Sequence, residues 1–195
     1  MSKPFNRMTL FATLPLVLAF GCKAKPAAVA PATPPPAQEV SNPAAAAIMD
    51  ASATIKSSDG TVLGTVRFAE REGRVDIVAE VRGVAPGEHG FHVHDAGLCE
   101  GPDFASAGGH FNPAGHPHGA PSDAQRHGGD LGNLTVAADG TGKLMLSSDQ
   151  LTVTPGPNSV VGHAVIFHAN PDDLKTQPTG NAGGRLGCGV VQLGG

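Results

Sequence analysis

Six of the nine histidines in this chain fall between Gly90 and Asn133: His92, His94, His110, His116, His118 and His127. Gly and Pro are dense in that stretch and apolar residues are sparse. A segment of this composition cannot bury a core of its own, and it is too long for an idle connection in a compact domain. Something must hold it rigid. Imidazoles at such density point to a metal ion in that role, so the rest of the chain is read as the scaffold of a metal-bearing loop.

The flanking segments read as strands. Thr61 to Ala69 alternates, with Val62, Val66 and Phe68 on one face and Leu63, Thr65 and Arg67 on the other. Arg74 to Arg82 repeats the pattern, with Val75, Ile77, Ala79 and Val81 facing inward. Period-2 alternation of this kind marks a half-buried strand. Asp59-Gly60 and Glu72-Gly73 supply turns ahead of them, and Asp139-Gly140 reads as a hairpin turn. Leu131 to Ala138, Lys143 to Leu146, Val160 to His168 and Arg185 to Leu193 add further strands. The expected fold is all-β: an eight-stranded antiparallel Greek-key flattened barrel or sandwich with two long loops.

The N-terminus reads as targeting rather than structure. Lys3 and Arg7 precede a short apolar run from Met8 to Phe20, too short for a comfortable membrane span. Its ending, Leu18-Ala19-Phe20-Gly21-Cys22, resembles the bacterial lipoprotein box, with Cys22 as the lipidated first residue; an ordinary secretory signal is the alternative. Residues 1–21 are then the signal peptide, 22–47 the lipidated cysteine with an Ala/Pro-rich tether, and 48–195 one domain. Lys23, where an Asp would resemble an inner-membrane retention signal, favours a periplasmic lipoprotein of the outer membrane. With Cys22 assigned to lipid, Cys99 and Cys188 remain as an even pair in an exported protein, which reads as a disulfide. A net charge of −4 without a Lys/Arg run argues against a nucleic-acid partner.

On a strand, His92 and His94 point to the same face and reach one ion together, while Phe91 and Val93 face the core. His168 ends a similar apolar strand and is a candidate third ligand. In the loop, His110, His118 and His127 are spaced by eight and nine residues, with Asp130 three further on. Three imidazoles and a carboxylate make a closed set suited to Zn²⁺, whereas an imidazole-only site of tetragonal shape suits Cu²⁺.

Taken together, His92-Val-His94, Cys99, Gly-Gly-His110-Phe-Asn-Pro, His118-Gly-Ala-Pro, Arg-His127-Gly-Gly-Asp130-Leu-Gly-Asn, His168 with Asp172-Asp173-Leu, and Gly-Asn-Ala-Gly-Gly-Arg185-Leu-Gly-Cys188 resemble copper/zinc superoxide dismutase, from about Met49 to the end and in family order. The resemblance implies one copper (Cu²⁺/Cu⁺) per subunit on His92, His94, His110 and His168. It implies one Zn²⁺ on His110, His118, His127 and Asp130, with His110 shared between the ions. Asp172 would link His92 to His118, Arg185 would sit over the open copper position, and Cys99–Cys188 would pin the loop after His94 to the last strand. The activity implied is conversion of two superoxide anions and two protons to O₂ and H₂O₂. A non-catalytic copper/zinc binding protein on the same fold is the alternative, and both monomer and homodimer are compatible with the sequence. Of the remaining histidines, His89 is expected to be structural, His116 to yield the zinc role to His118, and His163 to be a surface residue. The segment Asp172 to Gly184 resembles the family's charged guiding loop but is shorter than in eukaryotic members and carries only Lys175.

Overall fold

The computed structural model describes residues 49–194; the signal, Cys22 and the tether lie outside them. The described chain forms nine strands: β1 Met49–Lys56, β2 Val62–Arg71, β3 Arg74–Val81, β4 Gly87–His94, β5 Asp130–Val136, β6 Gly142–Ser148, β7 Ala164–His168, β8 Arg185–Val190 and β9 Gln192–Leu193. Every strand pairing is antiparallel. The spatial order is β2-β3-β6-β5-β4-β7-β8-β1, and β1 pairs back to β2, which closes the barrel. β1–β2–β3 is a meander; the β3–β4 and β6–β7 connections then skip over two strands each, which gives the Greek key. β9 resumes β8 after Val191 and pairs with β1 through Ala51↔Leu193.

Alternation built the barrel where the sequence shows it. Val75, Ile77, Ala79 and Val81 of β3 point inward, as do Val66 and Phe68 of β2. The β2–β3 hairpin turns on Glu72 and Gly73, both with positive φ (51° and 77°), the primed turn that matches strand twist. Two expectations fail locally. Val62 is 42% exposed rather than inward, because the β1–β2 register shifts at Ile55/Lys56, where Lys56 pairs with Val62 and Ile55 with Gly64. One inserted residue reverses the face of everything before it. The strand expected from Val160 starts only at Ala164, since Val161–Gly162 makes a turn with Gly162 at φ 86°.

Two apolar clusters result. The larger fills the barrel and includes Ile55, Phe68, Ile77, Phe91, Leu134 and Phe167, all fully buried; each such side chain contributes about 1.5–3 kcal/mol by leaving water. The smaller lies outside the barrel, where Ala164, Ile166 and Cys188 are covered by Phe104 and Ala107 of the β4–β5 connection. β4 and β7 are therefore buried on both faces. Phe91↔Phe167 and Val93↔Val165 face inward, while His92↔Ile166 and His94↔Ala164 face outward under the loops.

Candidate metal centre

The outward face of β4 carries His92 and His94, and His168 arrives from the end of β7. His110 is brought alongside by an isolated bridge to His94, secured where Phe111 N–H donates to Val93 O at 2.8 Å and Gly129 N–H donates to Phe111 O at 2.9 Å. These four imidazoles are buried, and each offers a nitrogen within 4.8 Å of the others'. His110, His118, His127 and Asp130 meet the same criterion. His110 belongs to both groups.

The other nitrogen of most of these rings is already committed. His92 Nε2–H donates to Asp172 Oδ2 (2.8 Å), His94 Nδ1–H to Gly108 O (2.9 Å), His168 Nδ1–H to Gly183 O (3.3 Å) and His118 Nε2–H to Asp172 Oδ1 (2.9 Å). Outer partners of this kind select one tautomer, leaving the opposite nitrogen as a lone-pair donor. The free atoms converge. His92 Nδ1 and His110 Nε2 are buried with no hydrogen-bond partner, and His94 Nε2 and His168 Nε2 face each other at 3.4 Å. On the other side of the His110 ring, Asp130 Oδ1 lies 2.8, 3.0 and 3.2 Å from the Nδ1 atoms of His110, His118 and His127. Buried polar atoms without partners are rare and costly. Orphaned nitrogens aimed at one point, and three imidazoles crowding one carboxylate oxygen, fit two cations.

The two groups differ electrically. Burial pushes His92 down to about 4, His94 to about 2 and His168 to about 3, so this set is neutral imidazole. Burial also acts to lower His118, but the carboxylates of Asp130 and Asp172 win and raise it to about 9. For Asp130 and Asp172 burial acts to raise the carboxyl, yet hydrogen bonds from the histidines hold both well below the usual carboxylate range. Asp172 is itself fixed: Asn133 Nδ2–H donates to its carbonyl (2.8 Å) and its N–H donates to Asn133 Oδ1 (2.7 Å). Gly180, at φ 64°, passes so close to Asp172 and His118 that no side chain fits there.

Arg185 opens β8 and crosses toward the β4–β5 connection, where Nη1–H donates to Phe104 O and Nη2–H to Gly108 O, both at 2.6 Å. Burial lowers its pKa and Asp103 opposes that shift; a guanidinium stays charged regardless. The Cys99–Cys188 bridge is formed, with Cα atoms 5.6 Å apart and the two residues 89 positions apart in sequence.

The residues that the resemblance groups together are thus neighbours in space: two sets of four that share His110, with Asp172 between His92 and His118. His89 is structural as expected: it is stacked 4.8 Å from Phe167, with its ring nitrogens 2.8 and 2.9 Å from His168 O and Ala85 O. His116 stays outside both groups, its backbone gripped by Asn112. His163 is a correction. It is half-buried, 4.1 Å from the Phe111 ring with Nδ1 3.3 Å from His94 O, because it sits in the turn ahead of β7 rather than on the strand. Phe104 and Gly108 O as anchors, and the grip of Gln177 on His118, carry no signal in residue spacing.

The sequence model of the family described as copper/zinc superoxide dismutase (SODC) matches residues 62–191. A curated relative, superoxide dismutase (Cu-Zn) 2 of Brassica juncea, is 48% identical over 148 residues, spanning 72% of this chain and 95% of the relative. Among solved structures, the clock protein EA4 aligns with a TM-score of 0.68 at 37% identity, covering 73% of this chain and 93% of its own. A double mutant of a SOD-like protein from Bacillus subtilis aligns at 0.66 and 35% identity, over 72% and 96%.

Proposed function

The chain belongs to the copper/zinc superoxide dismutase family, and from that premise we propose that it converts two superoxide anions and two protons to O₂ and H₂O₂ at a centre bridged by His110. In this reading His92, His94, His110 and His168 hold copper, and His110, His118, His127 and Asp130 hold zinc. The observation that carries it is the membership of one imidazole, His110, in both ligand groups. Copper supplies the one-electron cycle when bound, and zinc supplies fixed positive charge.

The chain's own residues do the rest. Arg185, locked by two carbonyl oxygens, presents its remaining N–H groups to an anion and adds local positive potential in a protein of net charge −4. His110 takes and returns a proton at Nε2, while its Nδ1 stays on the Asp130 side. Asp172 holds the Nε2–H tautomers of His92 and His118 in one carboxylate, so the two sets keep their spacing. The loops seal His92, His94 and His168 from bulk water.

The test is superoxide consumption by metal-loaded protein. Arg185→Ala is expected to lower the rate constant about tenfold or more, and His110→Ala to abolish turnover. Wild-type protein that holds both metals and consumes no superoxide would instead be a metal binder.

The same reading places the domain on a lipid anchor at Cys22, exported to the periplasm and facing it from the outer membrane. The short apolar run, the Gly21-Cys22 junction and the Pro-rich tether support this. Cys22→Ala should move the protein from the membrane fraction to the soluble one; unchanged fractionation removes the anchor.

A further inference from the structure

We propose that Gln177 is a positioning residue for the loop-mounted metal set, fixing the peptide group of His118 and thereby how tightly that set retains its ion. The inference rests on the reading of His110, His118, His127 and Asp130 as the zinc site.

The segment around His118 has no strand or helix to satisfy its backbone. His118 is nevertheless buried, so its peptide N–H and C=O require partners. One side chain supplies both. His118 N–H donates to Gln177 Oε1 at 2.7 Å, and Gln177 Nε2–H donates to His118 O at 2.8 Å. The second Nε2 hydrogen is directed at Lys175 O, 3.2 Å away. A primary amide is the side-chain equivalent of a peptide unit, a donor and an acceptor in one plane, and only Asn and Gln carry it. Gln177 therefore does for His118 what a neighbouring strand does for a strand residue.

Two other amides act the same way, and the contrast isolates Gln177. Asn112 grips His116 within its own loop, and Asn133 grips Asp172 from β5. Gln177 reaches across from the segment after β7, 59 residues away in sequence. Its own surroundings hold it in place: the Asp173 carboxylate accepts from the N–H groups of Lys175 and Thr176, and Gly180 N–H donates to Thr176 O. The His118 ring is tethered to Asp130 and Asp172 at its two nitrogens. Without Gln177 the ring keeps those contacts, but the backbone that carries it loses both of its own. The short loop thus contributes a clamp on a ligand.

The experiment uses the full chain with Co²⁺ in the zinc site, read by its tetrahedral visible bands, and Zn²⁺ retention against a chromogenic chelator. Gln177→Ala is expected to weaken retention about 10–100-fold, the range typical of lost outer-shell partners. Gln177→Glu keeps the acceptor for His118 N–H and loses the donor, and falls between. Copper affinity of the strand-mounted set serves as the second readout, and it stays near wild type. Retention equal to wild type in Gln177→Ala overturns the proposal, as does a loss shared equally by the copper set. Absence of the tetrahedral spectrum in the wild-type protein overturns the zinc-site reading, and the role of Gln177 with it, before any variant is made.

Discussion

The two ligand groups meet at one ring, yet they are positioned by different physics. His92, His94 and His168 ride on β4 and β7, so their places follow from backbone pairing and from the apolar residues between them. His118 and His127 sit on irregular chain, placed by polar side chains that seize the backbone: Asp130 Oδ2 accepts from His127 N–H (3.0 Å) and Gly119 N–H (3.1 Å), and Gln177 holds His118. The first group is buried neutral imidazole; the second is organised around two carboxylates. A strand-mounted ligand is insured by the whole sheet, whereas a loop-mounted one depends on a few named hydrogen bonds.

The largest test of that contrast is Asp130→Ala. One carboxylate serves three imidazoles and two backbone N–H groups, so its loss should cost the metal-free domain about 3–5 kcal/mol, the range for breaking a buried pair, in urea unfolding. Zinc binding should vanish while the visible spectrum of copper on the strand set persists. Parallel loss of both metals would break the distinction. Next comes Cys99→Ser. The bridge spans 89 residues and ties the β4–β5 connection to β8, so its loss should cost about 2–4 kcal/mol and lower the melting temperature. An unchanged melt would show that the Phe104 cluster alone holds this loop.

The third effect is spread over several pH units and is the smallest at any one pH. In metal-free protein, His92, His94 and His168 have folded values below the 6.5 of an unperturbed histidine. Their contribution is complete above pH 6.5 and is lost as pH falls toward 4 and below. Asp130 and Asp172, held low, join that acid limb only below the usual carboxylate value near 3.8. His118 has the opposite sign. Raised to about 9, it contributes fully below 6.5 and loses its contribution between 6.5 and 9. Stability of the metal-free domain should therefore fall on both sides of pH 6.5, and His118→Gln should flatten the alkaline side most, changing the acid side only in its carboxylate part, where His118 helps to hold Asp130 and Asp172 low. An acid side that changes equally in this variant would show the two sets titrating as one.

How much of this was legible follows the same division. Val75, Ile77, Ala79 and Val81 announce a strand by alternation, and His92 and His94 announce a shared face, because side-chain period is set by backbone geometry alone. Val62 departs from its alternation because a register shift depends on the partner strand, and His163 from its own because a turn ends the pattern before it. The loop ligands are marked only by family motifs, since no periodicity leads from His110 to His118 to His127. Gln177 and the anchors of Arg185 were invisible for a further reason. Their partners are peptide groups, which every residue possesses, so no residue type marks where such a contact falls.

The carbonyl of Gly108 accepts from the His94 ring at 2.9 Å and from Arg185 at 2.6 Å. A guest that draws the cation toward itself therefore pulls on the hinge of a neighbouring imidazole through one shared oxygen. Because that oxygen belongs to the main chain, at a position whose φ of 74° suits only glycine, no substitution at the shared point itself can separate the two, and the guanidinium and the ring beneath it share one mechanical fulcrum.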